Sequence, residues 1–125
     1  MDVTPLVKAD QQIIQSYANG RFKVSGLTYE GAVFVLPDRT QAWGYEGEIG
    51  GLAESDFDFL VERADDIDVV LLGCGKMTTF LQPKLKKSLK DKGLSVDVMD
   101  SGAACRTYNV LMAEGRRVAA ALLPA

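Results

Sequence analysis

The run Val69-Val70-Leu71-Leu72 is apolar at every position and closes on Gly73-Cys74-Gly75, and it constrains the fold more than any other feature of the chain. A strand with one wet face alternates polar and apolar residues, so a continuous run predicts a strand covered on both faces, as in a sheet flanked by helices. The residues that follow supply those helices. Pro83 suits a first helical turn, Leu81, Leu85 and Leu89 recur at i+4, and Gly93 is a C-cap. Leu94 to Val98 reads as the next strand. Asp100 or Ser101 caps a further helix carrying Val110, Leu111 and Ala113 that stops at Gly115, and Arg117 to Leu123 is a last strand before Pro124. The C-terminal half is therefore predicted as β-α-β-α-β, with right-handed crossovers joining parallel strands.

A different rhythm governs the N-terminal half. Ile13, Ile14 and Tyr17 lead into Asn19-Gly20, which suits a type I′ hairpin turn, and Phe22 and Val24 alternate beyond it. Gly26 breaks the pattern, and Leu27 and Tyr29 precede Gly31. Ala32 to Leu36 reads as a buried strand ended by a turn at Pro37-Asp38-Arg39, with Thr40 to Tyr45 as its partner. Gly44 to Gly51 holds four glycines and is a loop. Phe57, Leu60 and Val61 share one helical face, predicting an amphipathic helix over Glu54 to Ala64.

With 125 residues the chain has room for one domain, so residues 1–125 are predicted as a single α/β domain with 1–11 as a flexible N-terminal segment. Met1 to Gln12 has no apolar core of a signal peptide and no apolar run is long enough to span a bilayer, which predicts a soluble, cytoplasmic chain. There is no histidine, which removes the usual acid/base group, the Ser-His and Cys-His pairs and every histidine metal site. No metal set, no cofactor fingerprint and no complete catalytic constellation is present. The two cysteines, Cys74 and Cys105, are far apart and lack CxxC spacing. The formal charge of -3 argues against nucleic acid as the main partner. That small sum hides an asymmetry: Glu46 to Asp68 has nine acids and one arginine, whereas Lys76 to Lys92 has six lysines and one aspartate. Such runs are either solvated faces or steering patches for a protein partner or a homodimer.

Two sets of residues are candidate ligand groups. Gly73, Cys74, Gly75 and Lys76 lie at the carboxyl end of the buried strand, where open α/β sheets bind ligands and where glycine lets backbone approach an anion. Neither a Walker loop nor a G-x-G-x-x-G fingerprint is completed there, so a structural turn is the competing reading. Arg106, Thr107, Tyr108 and Asn109 on the following helix could converge on the same cleft, Arg106 as an anion clamp and Tyr108 as a donor; internal hydrogen bonding is the alternative. Cys74 and Cys105 read either as reactive thiols or as small buried hydrophobes. Trp43 and Tyr45 in their glycine-rich loop read equally as an interface anchor or as a cover over the end of the core.

Several of these segments carry a resemblance. Val70-Leu71-Leu72-Gly73-Cys74-Gly75, Pro83, Gly93 to Ser101, Ala104-x-x-Thr107-Tyr108-Asn109-x-Leu111 and Glu114-Gly115-Arg116-Arg117 through Pro124 resemble a small domain-of-unknown-function family shared by bacteria, archaea and mitochondria. That family includes the mitochondrial complex I (NADH dehydrogenase) assembly factor three and a mammalian adipogenesis-associated protein. The resemblance runs from about Ile13 to Pro124; Cys74 departs from it, since many relatives carry Thr or another small residue there. It implies a three-layer α/β fold with a mixed central sheet and an additional antiparallel β layer. It further implies a non-enzymatic binding or assembly factor for membrane complexes, linked to complex I or to protein translocation, with a protein partner and peripheral membrane-complex contact. The alternative is a small-ligand or anion-binding protein or enzyme using the Gly73 to Lys76 and Arg106 to Asn109 cleft.

Overall fold

A computed structural model of the protein describes residues 11–77 and 79–125; the segment expected to be flexible lies, for positions 1–10, outside the described residues. Eight strands and three α-helices follow one another along the described chain. They are β1 (Ile14–Ala18), β2 (Arg21–Val24), β3 (Leu27–Glu30), β4 (Val33–Leu36), β5 (Arg39–Ala42), α1 (Asp58–Val61), β6 (Val69–Gly73), α2 (Pro83–Asp91), β7 (Val96–Met99), α3 (Ser101–Ala113) and β8 (Val118–Leu122).

Local chemistry accounts for the turns. Asn19 and Gly20 both take positive φ, 53° and 76°, the geometry that lets a two-residue turn follow the strand twist between β1 and β2. Asp100 caps α3 by accepting from the Ala103 amide at 2.9 Å, and Pro83 opens α2. Gly93, at φ 94°, turns the chain out of α2, as its position after the leucine stripe predicts.

Three strands form an antiparallel sheet in the order β1-β2-β3, and five form a mixed sheet in the order β5-β4-β8-β6-β7. In the larger sheet β6 is parallel to both β7 and β8, while β4 runs antiparallel to β8 and β5. The two C-terminal crossovers thus build the parallel half, and the β4–β5 hairpin extends it on the β8 side. Each face of this sheet has its own apolar cluster. Phe34, Leu36, Val70, Leu72, Ala119 and Ala121 pack with Phe57, Leu60 and Leu89 from α1, α2 and the turns around them. Val33, Val35, Leu71, Val118, Ala120 and Leu122 pack with Cys105, Tyr108 and Met112 of α3 and with Ile14, Phe22 and Val24 of the small sheet. All five residues of β8 are buried, because this central strand is covered on both sides.

The helix expected over Glu54 to Ala64 is only partly present. The chain forms a 3-10 turn at Glu54–Phe57, the short α1, and a second 3-10 turn at Ala64–Asp66. Phe57 and Leu60 are fully buried as the periodicity predicts, whereas Val61 is only partly so. Six acids crowd this segment and disfavour a long helix, and the short Asp56 side chain turns back to accept from the Ala53 amide at 2.8 Å.

Candidate functional site

The turn after β6 is held by a closed set of hydrogen bonds. The Cys74 amide donates to the Met99 carbonyl at 2.9 Å and the Gly75 amide donates to Ser101 Oγ at 2.9 Å. Ser101 Oγ donates in turn to the Leu123 carbonyl at 2.6 Å, and the Ser101 amide donates to the Gly75 carbonyl at 2.8 Å. Ser101 is fully buried at the start of α3. These bonds lock the ends of β6, β7 and β8 to the first turn of α3 and engage the Cys74 and Gly75 amides, two of the donors that a phosphate cradle would present. Gly73 serves close packing: a Cβ there would lie 2.8 Å from Ser101 Cα and 3.0 Å from Leu122 Cδ2. Lys76 is exposed beyond the turn.

Cys74 is partly buried, its thiol donating to the Met77 carbonyl at 3.1 Å and accepting from the Thr79 amide at 3.2 Å. Cys105 is buried under the small sheet, and loss of hydration pushes its thiol up to about 12 despite nearby Arg106.

The α3 residues divide between two tasks. Tyr108 is fully buried, and its hydroxyl donates to the Gln12 carbonyl at 2.9 Å. Asn109 clasps β1 with both ends of its amide: Nδ2 donates to the Ile14 carbonyl at 2.7 Å, and Oδ1 accepts from the Ile14 amide at 2.9 Å. Thr107 is partly buried beside them. Arg106 reaches the other way, donating from Nη1 to Tyr17 Oη at 3.1 Å. Tyr17 lines a shallow hollow of about 390 Å³ that also includes Asn19, Gly75, Lys76, Asp100 and Gly102. The structure therefore brings Gly75, Lys76 and, through Tyr17, Arg106 to one hollow. Tyr108 and Asn109 are turned instead to the small sheet.

Trp43 and Tyr45 sit together over the opposite face of the large sheet. Trp43 Nε1 donates to the Asp56 carbonyl at 2.7 Å, and its ring packs 4.5 Å from Phe34 and 5.5 Å from Phe57, centroid to centroid. Tyr45 Oη donates to the Glu48 carbonyl at 2.6 Å, and a Cβ at Gly47 or Gly51 would fall within 2.7 Å of that oxygen. The glycines of this loop thus make room for the tyrosine. Lost hydration, then Asp56 and Glu48, raise its titration above the usual tyrosine range.

Exposed apolar residues are the feature that the sequence patterns did not single out. Phe80 is 95% exposed and Met77 is 78% exposed, both in the connection from β6 to α2. A groove of about 430 Å³ runs beside this connection, lined by Thr79, Phe80, Leu81, Lys86 and Asp97–Met99 of β7. Their signal was a pair of large apolar side chains outside any periodic segment, which periodicity by construction does not score. At the far end of the large sheet, Arg39, Arg63, Arg116 and Arg117 line another hollow together with Asp38 and Asp66. Two of those guanidiniums are already committed, Arg117 to Asp68 at 2.7 Å and Arg63 over the Phe59 ring at 3.8 Å.

No group of histidine, cysteine or carboxylate side chains among the described residues is arranged to hold a metal ion. No helix among them is long and apolar enough to cross a membrane.

Residues 14–123 match the family described as protein of unknown function (DUF498/DUF598). The chain is 33% identical over 111 residues to NADH dehydrogenase (ubiquinone) 1 alpha subcomplex assembly factor 3 of Bos taurus. That match covers 89% of this chain and 60% of the relative, so the chain spans less than two-thirds of the curated relative's length. Among solved structures, an outer membrane protein from Bartonella henselae superimposes with a TM-score of 0.83 at 32% identity, covering 93% of this chain and 97% of that one. A Mth938-like domain of Bordetella pertussis gives 0.81 at 27% identity, covering 99% and 92%.

Proposed function

This chain belongs to the DUF498/DUF598 family, and from that membership we propose that it is a non-enzymatic protein-binding factor that assists the assembly of a membrane complex. The observation that carries this reading is the 33% identity, over 89% of the chain, to a protein named as an assembly factor of NADH dehydrogenase. Two features of the molecule support it. The Cys74 and Gly75 amides of the turn after β6 are engaged internally, which suits a rigid scaffold more than an oxyanion or phosphate site. Large apolar side chains stand in solvent at Met77 and Phe80, where a partner would cover them. The factor acts from the aqueous side of the membrane, in the cytoplasm, by surface complementarity.

Deleting the gene in its native cell tests the proposal. Native gels of the membranes are expected to show loss of one complex, with its subcomplexes accumulating, and restoration by the complementing gene. Unchanged levels of every membrane complex would overturn it. The competing small-ligand reading rests on the hollow at Gly75, Lys76 and Tyr17. A shift of several degrees in thermal unfolding with one class of anionic metabolite would favour that reading instead.

A further inference from the structure

We infer that the free edge of β7 is the docking site, and that its occupant is an extended segment of the partner protein, acidic on one face, which adds to the large sheet as a sixth strand; this rests on the protein-binding reading above. The first observation is topological. β7 is a terminal strand of the five-stranded sheet and, among the described residues, pairs only with β6. The carbonyls of Ser95 and Met99 accept from the Val70 and Cys74 amides. In a parallel ladder the inward-directed residues of an edge strand alternate, so the N–H and C=O of Val96 and Val98 point away from β6 toward the open side. An unpaired edge of this kind is a template for another strand unless something blocks it.

The second observation is what surrounds that edge. The groove along it is floored by Asp97–Met99 and walled by Thr79, Phe80, Leu81 and Lys86. Phe80, 95% exposed, stands at its rim as an aromatic anchor without a pocket of its own. Charge then identifies the occupant. Lys87 pairs with Asp91 and Lys92 with Glu54, but Lys84, Lys86 and Lys90 of α2 carry no ion pair among the described residues. Asp97 is the one acid among the groove's lining residues. Because side chains alternate across a strand, an added segment can present acids to the α2 side and apolar residues to the side of Asp97. A second copy of this chain fits less well. Pairing β7 with β7 would be antiparallel about a two-fold axis and would set two lysine-bearing α2 helices side by side on the same sheet face.

The test uses the full chain, isotope-labelled for NMR, with three synthetic peptides: alternating glutamate and valine, alternating lysine and valine, and the first with proline at its centre. The glutamate-valine peptide is expected to slow hydrogen exchange at the Val96 and Val98 amides, and the other two are not. Phe80→Ala should weaken that binding roughly tenfold with no change in thermal stability, because the side chain is almost wholly exposed. Lys86→Glu should shift the preference toward the lysine-valine peptide. Protection of Val96 and Val98 that rises with protein concentration alone would overturn the inference in favour of a homodimer, and peptide shifts confined to β3 or β5 would overturn it in favour of another edge. Normal complex assembly in the deletion strain carrying Phe80→Ala together with Lys86→Glu, once that double variant no longer binds the glutamate-valine peptide, would remove the β7 site and leave the assembly function standing. Peptide binding at β7 in a protein whose deletion affects no complex would do the reverse.

Discussion

Tyr108 and Asn109 show how far a residue's type can be read without its surroundings. Polar side chains in an otherwise apolar helix are equally suited to a ligand and to the backbone of a neighbour, and their identity does not distinguish the two. Here both are spent on the segment Gln12 to Ile14. Cys105 likewise reads as a nucleophile or as core, and burial decides for core. Its thiol, pushed up to about 12 by desolvation from an ordinary value of 9.0, is neutral through the physiological range. The consequence for stability follows from linkage: an acid whose pKa is raised on folding contributes fully below its unfolded value and loses that contribution as pH climbs toward the folded one. Tyr108, raised by its own burial first and Asp38 second, acts in the same direction. Denaturant unfolding at stepped pH is therefore expected to show stability falling from about pH 9 upward. A flat profile to pH 11 would contradict the buried placement of both groups.

At the scale of elements, most of the strands and helices were legible because each carries its own period or its own punctuation. The continuous run in β6, the i+4 leucines of α2 and the Asn-Gly turn between β1 and β2 are local signals with local causes. The segment from Glu54 to Asp66 was not legible, since its apolar spacing is helical while its short acidic side chains favour turns. Neither preference is visible as the stronger until Phe57 and Leu60 are seen to reach the core from separate turns. Contacts between elements follow the same logic. The small sheet is tied to α3 through the two hydrogen bonds of Asn109 to Ile14. Asn109→Ala leaves both Ile14 groups without partners, a loss of about 1–3 kcal/mol. The expected result is a lower denaturation midpoint with faster exchange in β1 and β2, while β6 and β8 keep their protection. Uniform loss across both sheets would mean that the clasp is not what joins them.

At the scale of the whole molecule, two apolar clusters lie on opposite faces of one five-stranded sheet, and the buried strand β8 contributes to both. We therefore expect residues 11–125 to unfold as a single cooperative unit, in keeping with one domain. Trp43 fluorescence reports on one cluster and alkylation of Cys105 on the other; their transitions should coincide, and separate midpoints would reveal two units. The α/β class and the order of elements outside Glu54 to Asp66 followed from the sequence alone, because repeating patterns of apolar residues, caps and turn dipeptides act over a few positions of chain; the family followed from the resemblance of its motifs. Which polar groups remain available to a partner did not follow. The Gly75 amide, Tyr108 and Asn109 are consumed by residues distant in sequence, at Ser101, Gln12 and Ile14. Phe80 and the edge of β7 are left in solvent for the complementary reason: the chain offers no strand to pair with that edge among the described residues. Hydrogen-bond satisfaction and exposure are properties of the assembled fold, so only the tertiary structure could separate the groups that hold this protein together from those it presents to others.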